Sequence, residues 1–175
     1  MIRTSLLALS FAFAMATSAL AQVSGAAFEG FRSNGDDPIQ IEADSLEVLD
    51  EQNKAVFNGN VVVVQGKSTM TTSKLIVTYG AGGEGTQRDV QQLDMSGGLV
   101  ATSEDNTVTA DAGTYVTATE QIVLTGKVVI SQGTNVAQGC KLTANLKNNK
   151  ARLTACGGSS GRVSTIFTPG SQNKN

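Results

Sequence analysis

The sequence predicts an all-β fold of stacked antiparallel strand-turn-strand units, on three observations. Residues 41–66 and 108–133 align without a gap, 67 positions apart. Ala43/Ala110, Asp44/Asp111, Val56/Val123, Gly59/Gly126, Val61/Val128, Val62/Val129, Gln65/Gln132 and Gly66/Gly133 are identical pairs, and Lys74-Leu75 recurs as Lys141-Leu142 at the same offset. An ungapped internal match of this kind means one supersecondary unit used twice. The second observation is a looser form of the same unit: residues 73–79 lead to 93–99, and 140–146 lead to 153–158. The chain thus alternates about four small units, none able to bury a face alone, so they must stack. Third, Val61-Val62-Val63-Val64, Leu75-Ile76-Val77-Thr78-Tyr79 and Val128-Val129-Ile130 are β-branched runs bounded by Gly or Asn. Such runs suit a pleated surface and crowd a helix.

The elements follow in chain order. Arg3 precedes an apolar run from Leu6 to Leu20 that ends in Ala19-Leu20-Ala21, the pattern of a signal peptide, residues 1–21, cleaved after Ala21. The run is short for a membrane-spanning helix, which takes about 20 apolar residues. Gln22 in place of Cys gives no sign of a lipid anchor. Residues 22–37, with Gly25, Gly30 and Gly35, read as a flexible leader, residues 38–168 as one domain, and 169–175 as a disordered polar tail. Within 37–57, Asp37-Pro38 with Ile41, Val48, Leu49 and Val56 could start an amphipathic helix. The repeat partner, residues 109–119, is a poor helix former, so strands are expected in both copies. With no Trp in the chain, the core must be built of Val, Leu, Ile and Ala.

Catalytic chemistry finds little support. The absence of His removes Ser-His-Asp triads, Cys-His nucleophiles and His-ligated metals, and no enzyme activity, cofactor, metal site or nucleic-acid partner is expected. Asp44 and Asp111 recur once per unit, which fits corner residues satisfying turn amides better than a catalytic carboxylate pair. Residues 80–85 match G-x-G-x-x-G formally, yet no convincing helix follows to hold a pyrophosphate, so an inter-strand loop is expected. Charge is uneven: residues 29–51 carry Glu29, Asp36, Asp37, Glu42, Asp44, Glu47, Asp50 and Glu51 against Arg32 alone, whereas no acidic residue follows Glu120. Lys127, Lys141, Lys147, Lys150, Arg152, Arg162 and Lys174 make that end basic. Acidic and basic ends favour head-to-tail attraction between copies or to a related protein.

Cys140 and Cys156 lie in one unit behind an export signal, where oxidation to a disulfide is the natural outcome. Closing that loop is worth roughly 3 kcal/mol on the chain-entropy model. A two-residue Asn148-Asn149 turn would pair Leu142 with Ala155 and Ala144 with Leu153, but it would put the two cysteines on opposite faces. A three-residue turn or a bulge restores their pairing.

The export signal, residues 38–44 (P-I-Q-I-E-A-D), the twice-used G-[NK]-V-V-[VI]-x-Q-G, the Lys74-Leu75 strand before a Gly-rich loop, and the closing segment from Gly161 to Pro169 together resemble the LptA/OstA family. Its members are periplasmic lipopolysaccharide transport proteins, and the resemblance runs from about Asp37 to Pro169. It implies a twisted open β-jellyroll that stacks head to tail with itself, with an LptC-like inner-membrane protein and with an LptD-like outer-membrane translocon. The continuous groove would shield lipid A acyl chains, each methylene of which costs roughly 0.8 kcal/mol in water. The cysteines are not part of the general family pattern. Period-2 alternation nominates the groove-facing residues Ile39, Ile41, Val61, Val63, Leu75, Val77, Leu99, Tyr115, Val128 and Ile130, with Tyr79, Val108, Leu142, Ala144 and Leu146 on the same face. By resemblance, lipid contact falls near Ile39, Leu99 and Tyr115. The competing expectation is an exported structural β-solenoid or interaction protein with no lipid cargo, whose interior would be closed.

Overall fold

Ten strands form a single antiparallel sheet in the computed structural model, which describes residues 37–80, 89–157 and 161–168. The expected signal peptide, the leader up to residue 36, most of the Gly-rich loop and the tail from 169 lie outside the described residues. The strands are β1 (Ile39–Glu42), β2 (Ser45–Leu49), β3 (Lys54–Gln65), β4 (Ser68–Tyr79), β5 (Val90–Ser103), β6 (Asn106–Val116), β7 (Gln121–Gln132), β8 (Asn135–Asn145), β9 (Lys150–Thr154) and β10 (Ser164–Ile166). The segment 37–57 forms β1, β2 and one 3-10 turn, not a helix. That turn, Asp50–Gln52, has its counterpart at Thr117–Thr119, 67 positions on, and each is closed by a left-handed residue, Asn53 and Glu120.

From β3 to β8 the chain is an up-and-down meander, but each long strand is interrupted near its middle, and the β4–β5 ladder skips again at Thr78/Tyr79 near its end. The ladder skips at Asn58/Val61, Thr72/Lys74, Ser96/Leu99, Thr109/Ala112 and Thr125/Val128. The interruptions align across the sheet and split it into two half-sheets. The first contains 39–42, 61–65, 68–72, 99–103, 106–110, 128–132, 135–139 and 164–166; the second contains 45–49, 54–58, 74–79, 90–96, 112–116, 121–125, 141–145 and 150–154. Positive φ at Gly59, Gly97, Gly98 and Gly126 (76° to 95°) supplies the backbone freedom the bulges need.

Side chains grip these corners. The Asp44 N–H donates to Gly59 O at 2.9 Å and its carboxylate accepts from the Asn60 side chain at 2.9 Å. Asp111 accepts from the Lys127 N–H at 3.2 Å, and the Ser73 hydroxyl donates to Gly97 O at 2.6 Å. The two recurring aspartates are therefore corner pieces.

Inward residues of both halves join one apolar cluster that includes Val61, Leu75, Leu99, Leu124, Val128 and Leu142. The half-sheets face one another: a methyl added at Gly113 in the second would meet Leu124 and Met95 of its own half and Leu99 of the first, at 2.6 to 3.5 Å. Each fully buried Leu or Val contributes roughly 1.5–3 kcal/mol. The result is a twisted open β-jellyroll: β1 and β2 at one end do not pair with β9 and β10 at the other.

The turn before β9 is longer than both the two-residue turn and the three-residue or bulged turn that the expected disulfide favoured. Asn145 pairs with Lys150 and Leu142 with Leu153, not Ala155, so four residues, 146–149, make the connection. The longer loop lets Leu146 stay 4% exposed with its N–H donating to Glu120 O. Asn145 and Asn148 close it by accepting from the N–H groups of Asn148 and Lys150, both at 3.1 Å, as Asx turns do. Cys140 lies opposite the Gly126–Lys127 bulge. Cys156 lies just past the last rung of β9 and forms a disulfide with it, Cα–Cα 4.7 Å.

Candidate functional site

The inner face is an apolar strip running from β1 and β2 to β9, packed shut in the middle and open at the ends. Of the nominated residues, Val61, Leu75, Val77, Leu99, Val128 and Ile130 are 0–3% exposed and form the packed middle. Ile41, Val63 and Tyr115 are partly exposed and pack against that cluster. Ile39 is 55% exposed on the first edge.

The mouth at the β2 end includes residues that the alternation argument passed over. Leu46 and Val48 stand opposite Phe57 and Ala55, on the inner face, yet are 56% and 58% exposed. With Phe57, Tyr79 and Ala55 they line a cleft of about 370 Å³, with Asp50 and Lys54 also in its lining. That volume lies near the lower end of ligand pockets, roughly 300–1,000 Å³. The signal was present in Leu46-Glu47-Val48, an apolar pair alternating about a charge. The corner at Asp44 interrupts the phase set by Ile39 and Ile41, which is why extrapolating from them did not reach these residues.

Electrostatics within the strip are quiet. Burial, with a lesser effect from Glu120, pushes the Tyr115 phenol above its usual range, so it stays neutral. The salt bridge Lys67–Glu104, 2.8 Å, lies on exposed turns away from the cleft. Its hydrogen bond lowers the Glu104 carboxyl and raises the Lys67 ammonium. No group of three or more metal-ligating side chains occurs among the described residues.

The edges carry the charge. Glu42 and Glu47 lie on β1 and β2, while Lys150 and Arg152 lie on β9 and Lys141 on its neighbour β8. Glu47, Lys141, Lys150 and Arg152 make no ion pair among the described residues. Val163, Ile166 and Phe167 add exposed apolar surface around β10.

Fold and interior define a class of protein: a β-jellyroll with an apolar inner strip and two oppositely charged edges that are unpaired among the described residues. Known proteins sharpen this. The family described as "LptA/(LptD N-terminal domain) LPS transport protein" matches residues 40–150. The uncharacterized protein R00383 of Rhizobium meliloti (strain 1021) is 38% identical over 92% of this chain and 87% of its own. The lipopolysaccharide export system protein LptA of Escherichia coli (strain K12) is 30% identical over 95% of this chain and 90% of its own. Among solved structures, LptH of Pseudomonas aeruginosa, described as the LptA-homologous periplasmic component of the lipopolysaccharide transport device, matches with a TM-score of 0.64 and 19% identity. The match covers 79% of this chain and all of that one, and at that identity it speaks for the fold. The chain belongs to the LptA/LptD N-terminal domain family of lipopolysaccharide transport proteins.

Proposed function

We propose that this protein is a periplasmic lipopolysaccharide-binding bridge, exported by a signal peptide cleaved after Ala21, which carries the glycolipid from the inner to the outer membrane by stacking head to tail. The observation that carries the reading is the exposure of inward-facing Ile39, Leu46 and Val48 at an unclosed end of an apolar interior. Apolar residues that face a core and yet stand in water lack a partner, and acyl chains or a second apolar strip would supply it. Acyl chains enter at this mouth against Leu46, Val48, Phe57 and Tyr79, and follow Ile39, Ile41, Val63 and Tyr115 along the strip. They reach Val61, Leu75, Val77, Leu99, Val128 and Ile130 only where the half-sheets part at their glycine corners. The glycan stays in water, so the bridge needs no chemistry, only cover.

Stacking follows from the edges. β2 runs away from the corner and β9 towards it, so a β9 edge meets the β2 edge of the next copy antiparallel, extending the second half-sheet. In one register Ser45 faces Thr154, Leu46 faces Leu153, Glu47 faces Arg152, Val48 faces Ala151 and Leu49 faces Lys150. That register alone among its neighbours sets inner apolar residues against inner apolar residues and the acidic side chain against the guanidinium. β10 and β1 likewise run in opposite senses and extend the first half-sheet. The contact is heterologous and does not close, so it generates an open fibre. LptC-like and LptD-like jellyrolls fit the same two edges as end partners. Native mass spectrometry of the exported protein tests the cargo: bound lipopolysaccharide is expected, and a protein that never retains it from periplasm or micelles contradicts the reading.

A further inference from the structure

The disulfide closes a series. The bulges in β3, β5 and β7 are each met by a corner residue that precedes them in the chain, Asp44 on Gly59-Asn60, Ser73 on Gly97 and Asp111 on Lys127, and just past the end of β9 Cys140 meets Cys156 in the same way. Cys140 stands 67 positions after Ser73, and because Leu142 faces Leu153 as Leu75 faces Met95, Ala155-Cys156 stands where Gly97-Gly98 does in the earlier unit. The first three grips are hydrogen bonds, two of them, at Ser73 and Asp111, between strands that are paired on both sides. The fourth is a covalent bond just past the end of β9, which among the described residues pairs only with β8 and has five residues. Gly139 marks the same place from the other side: a Cβ there would meet Thr154 O at 2.7 Å and Leu153 Cγ at 2.8 Å, so the end of β9 lies tight against the backbone beside Cys140.

We infer that Cys140 and Cys156 form the partner-facing lock of the molecule: the disulfide holds β9 as a firm edge that receives the acidic β2 strand of a second copy. The inference rests on the stacking reading and adds the element that makes one edge competent. A short edge strand frays when one flank is unpaired, and a frayed β9 would have to be ordered afresh at each docking event, weakening it. Holding Thr154 and Leu153 at the corner keeps Arg152, Ala151 and Lys150 extended in the register that Glu47, Val48 and Leu49 require. Cys140 and Cys156 are thus positioning residues and make no contact with the partner themselves.

The test isolates one edge. Wild-type protein is immobilised as acceptor, and soluble Val48→Asp, which offers an intact β9 but a spoiled β2, is titrated over it. Adding Cys140→Ala with Cys156→Ala should raise Kd on the order of tenfold, equal to about 1.4 kcal/mol, and speed hydrogen exchange of the 150–154 amides by a similar factor. Cys140→Ser with Cys156→Ser places a hydroxyl where Ser73 stands in the earlier corner, free to donate to the Ala155 carbonyl as Ser73 does to Gly97 O, and should recover part of both effects. An Ala-pair protein with unchanged docking and unchanged exchange overturns the inference, as does a Ser pair indistinguishable from the Ala pair. If Val48→Asp with both cysteines does not dock at all, the stacking reading fails, and the exchange comparison alone then decides whether the bond firms β9.

Discussion

The Glu47–Arg152 pairing is the sharpest consequence of the edge register. In a stack, Glu47 of one copy faces Arg152 of the next on the outer surface of the second half-sheet, directly opposite across a new ladder. An opposite-charge cross-strand pair is worth roughly 0.2–1 kcal/mol, and like charges so placed destabilise by a similar amount. Glu47→Arg therefore removes one term and adds the other, for a loss of about 0.4–2 kcal/mol, or roughly two- to thirtyfold in association constant. Arg152→Glu should do the same. Both residues are exposed edge positions, so neither variant should change folding. Sedimentation velocity at low salt should show each single variant largely monomeric at concentrations where the wild type forms oligomers. The double variant should recover assembly. An equimolar mixture of the two singles should also assemble, because each junction then pairs unlike charges. The difference should shrink as salt shortens the screening length to about 10 Å at 0.1 M. Single variants that assemble like wild type, or a double variant that fails to recover, would refute this register.

Other outcomes follow from the same geometry. Leu142→Ala empties a fully buried site and should cost about 2–5 kcal/mol by chemical denaturation, whereas Leu46→Asp, at an exposed position, should leave stability nearly unchanged and abolish lipid retention. Asp111→Ala removes the acceptor for the Lys127 N–H and should cost about 1 kcal/mol, read as a lower denaturation midpoint with an unchanged slope. Because burial raises the Tyr115 phenol, the folded state holds its proton longer than the unfolded chain. Stability should therefore be intact below the ordinary tyrosine range and fall as pH rises through it, and Tyr115→Phe should flatten that alkaline limb in thermal melts.

Much of this molecule was legible in the sequence because its repeat and its alternation both report on strands. Asp44 and Asp111 stood out as corners since only position in the unit, not chemistry, recurs with them, and Val61, Leu75 and Val128 fell on the inner face by period 2 alone. Gly59 and Gly126 were harder: Gly bounds a strand in a turn and also bends one in a bulge, and here it bends strands that run on through both half-sheets. The 146–149 loop was hidden because Asn148-Asn149 carries a two-residue turn signal, while burial of Leu146, a tertiary effect, sets the loop length. The cleft residues Leu46 and Val48 were obscured by the corner between β1 and β2. Which inward residues stay open to a ligand depends on where the sheet ends, and no local pattern encodes that.

The central claim is that the inner strip takes acyl chains. A photoreactive residue placed in turn at Ile39, Leu46 and Tyr115 on the inner face, and at Gln40 and Glu47 on the outer, in protein exported by cells making lipopolysaccharide, tests it most directly. The account predicts lipopolysaccharide adducts at the three inner positions and none at the two outer ones, with Leu99 labelled only when the half-sheets part. Equal labelling of both faces, or none at any inner position in a folded, exported protein, would contradict it.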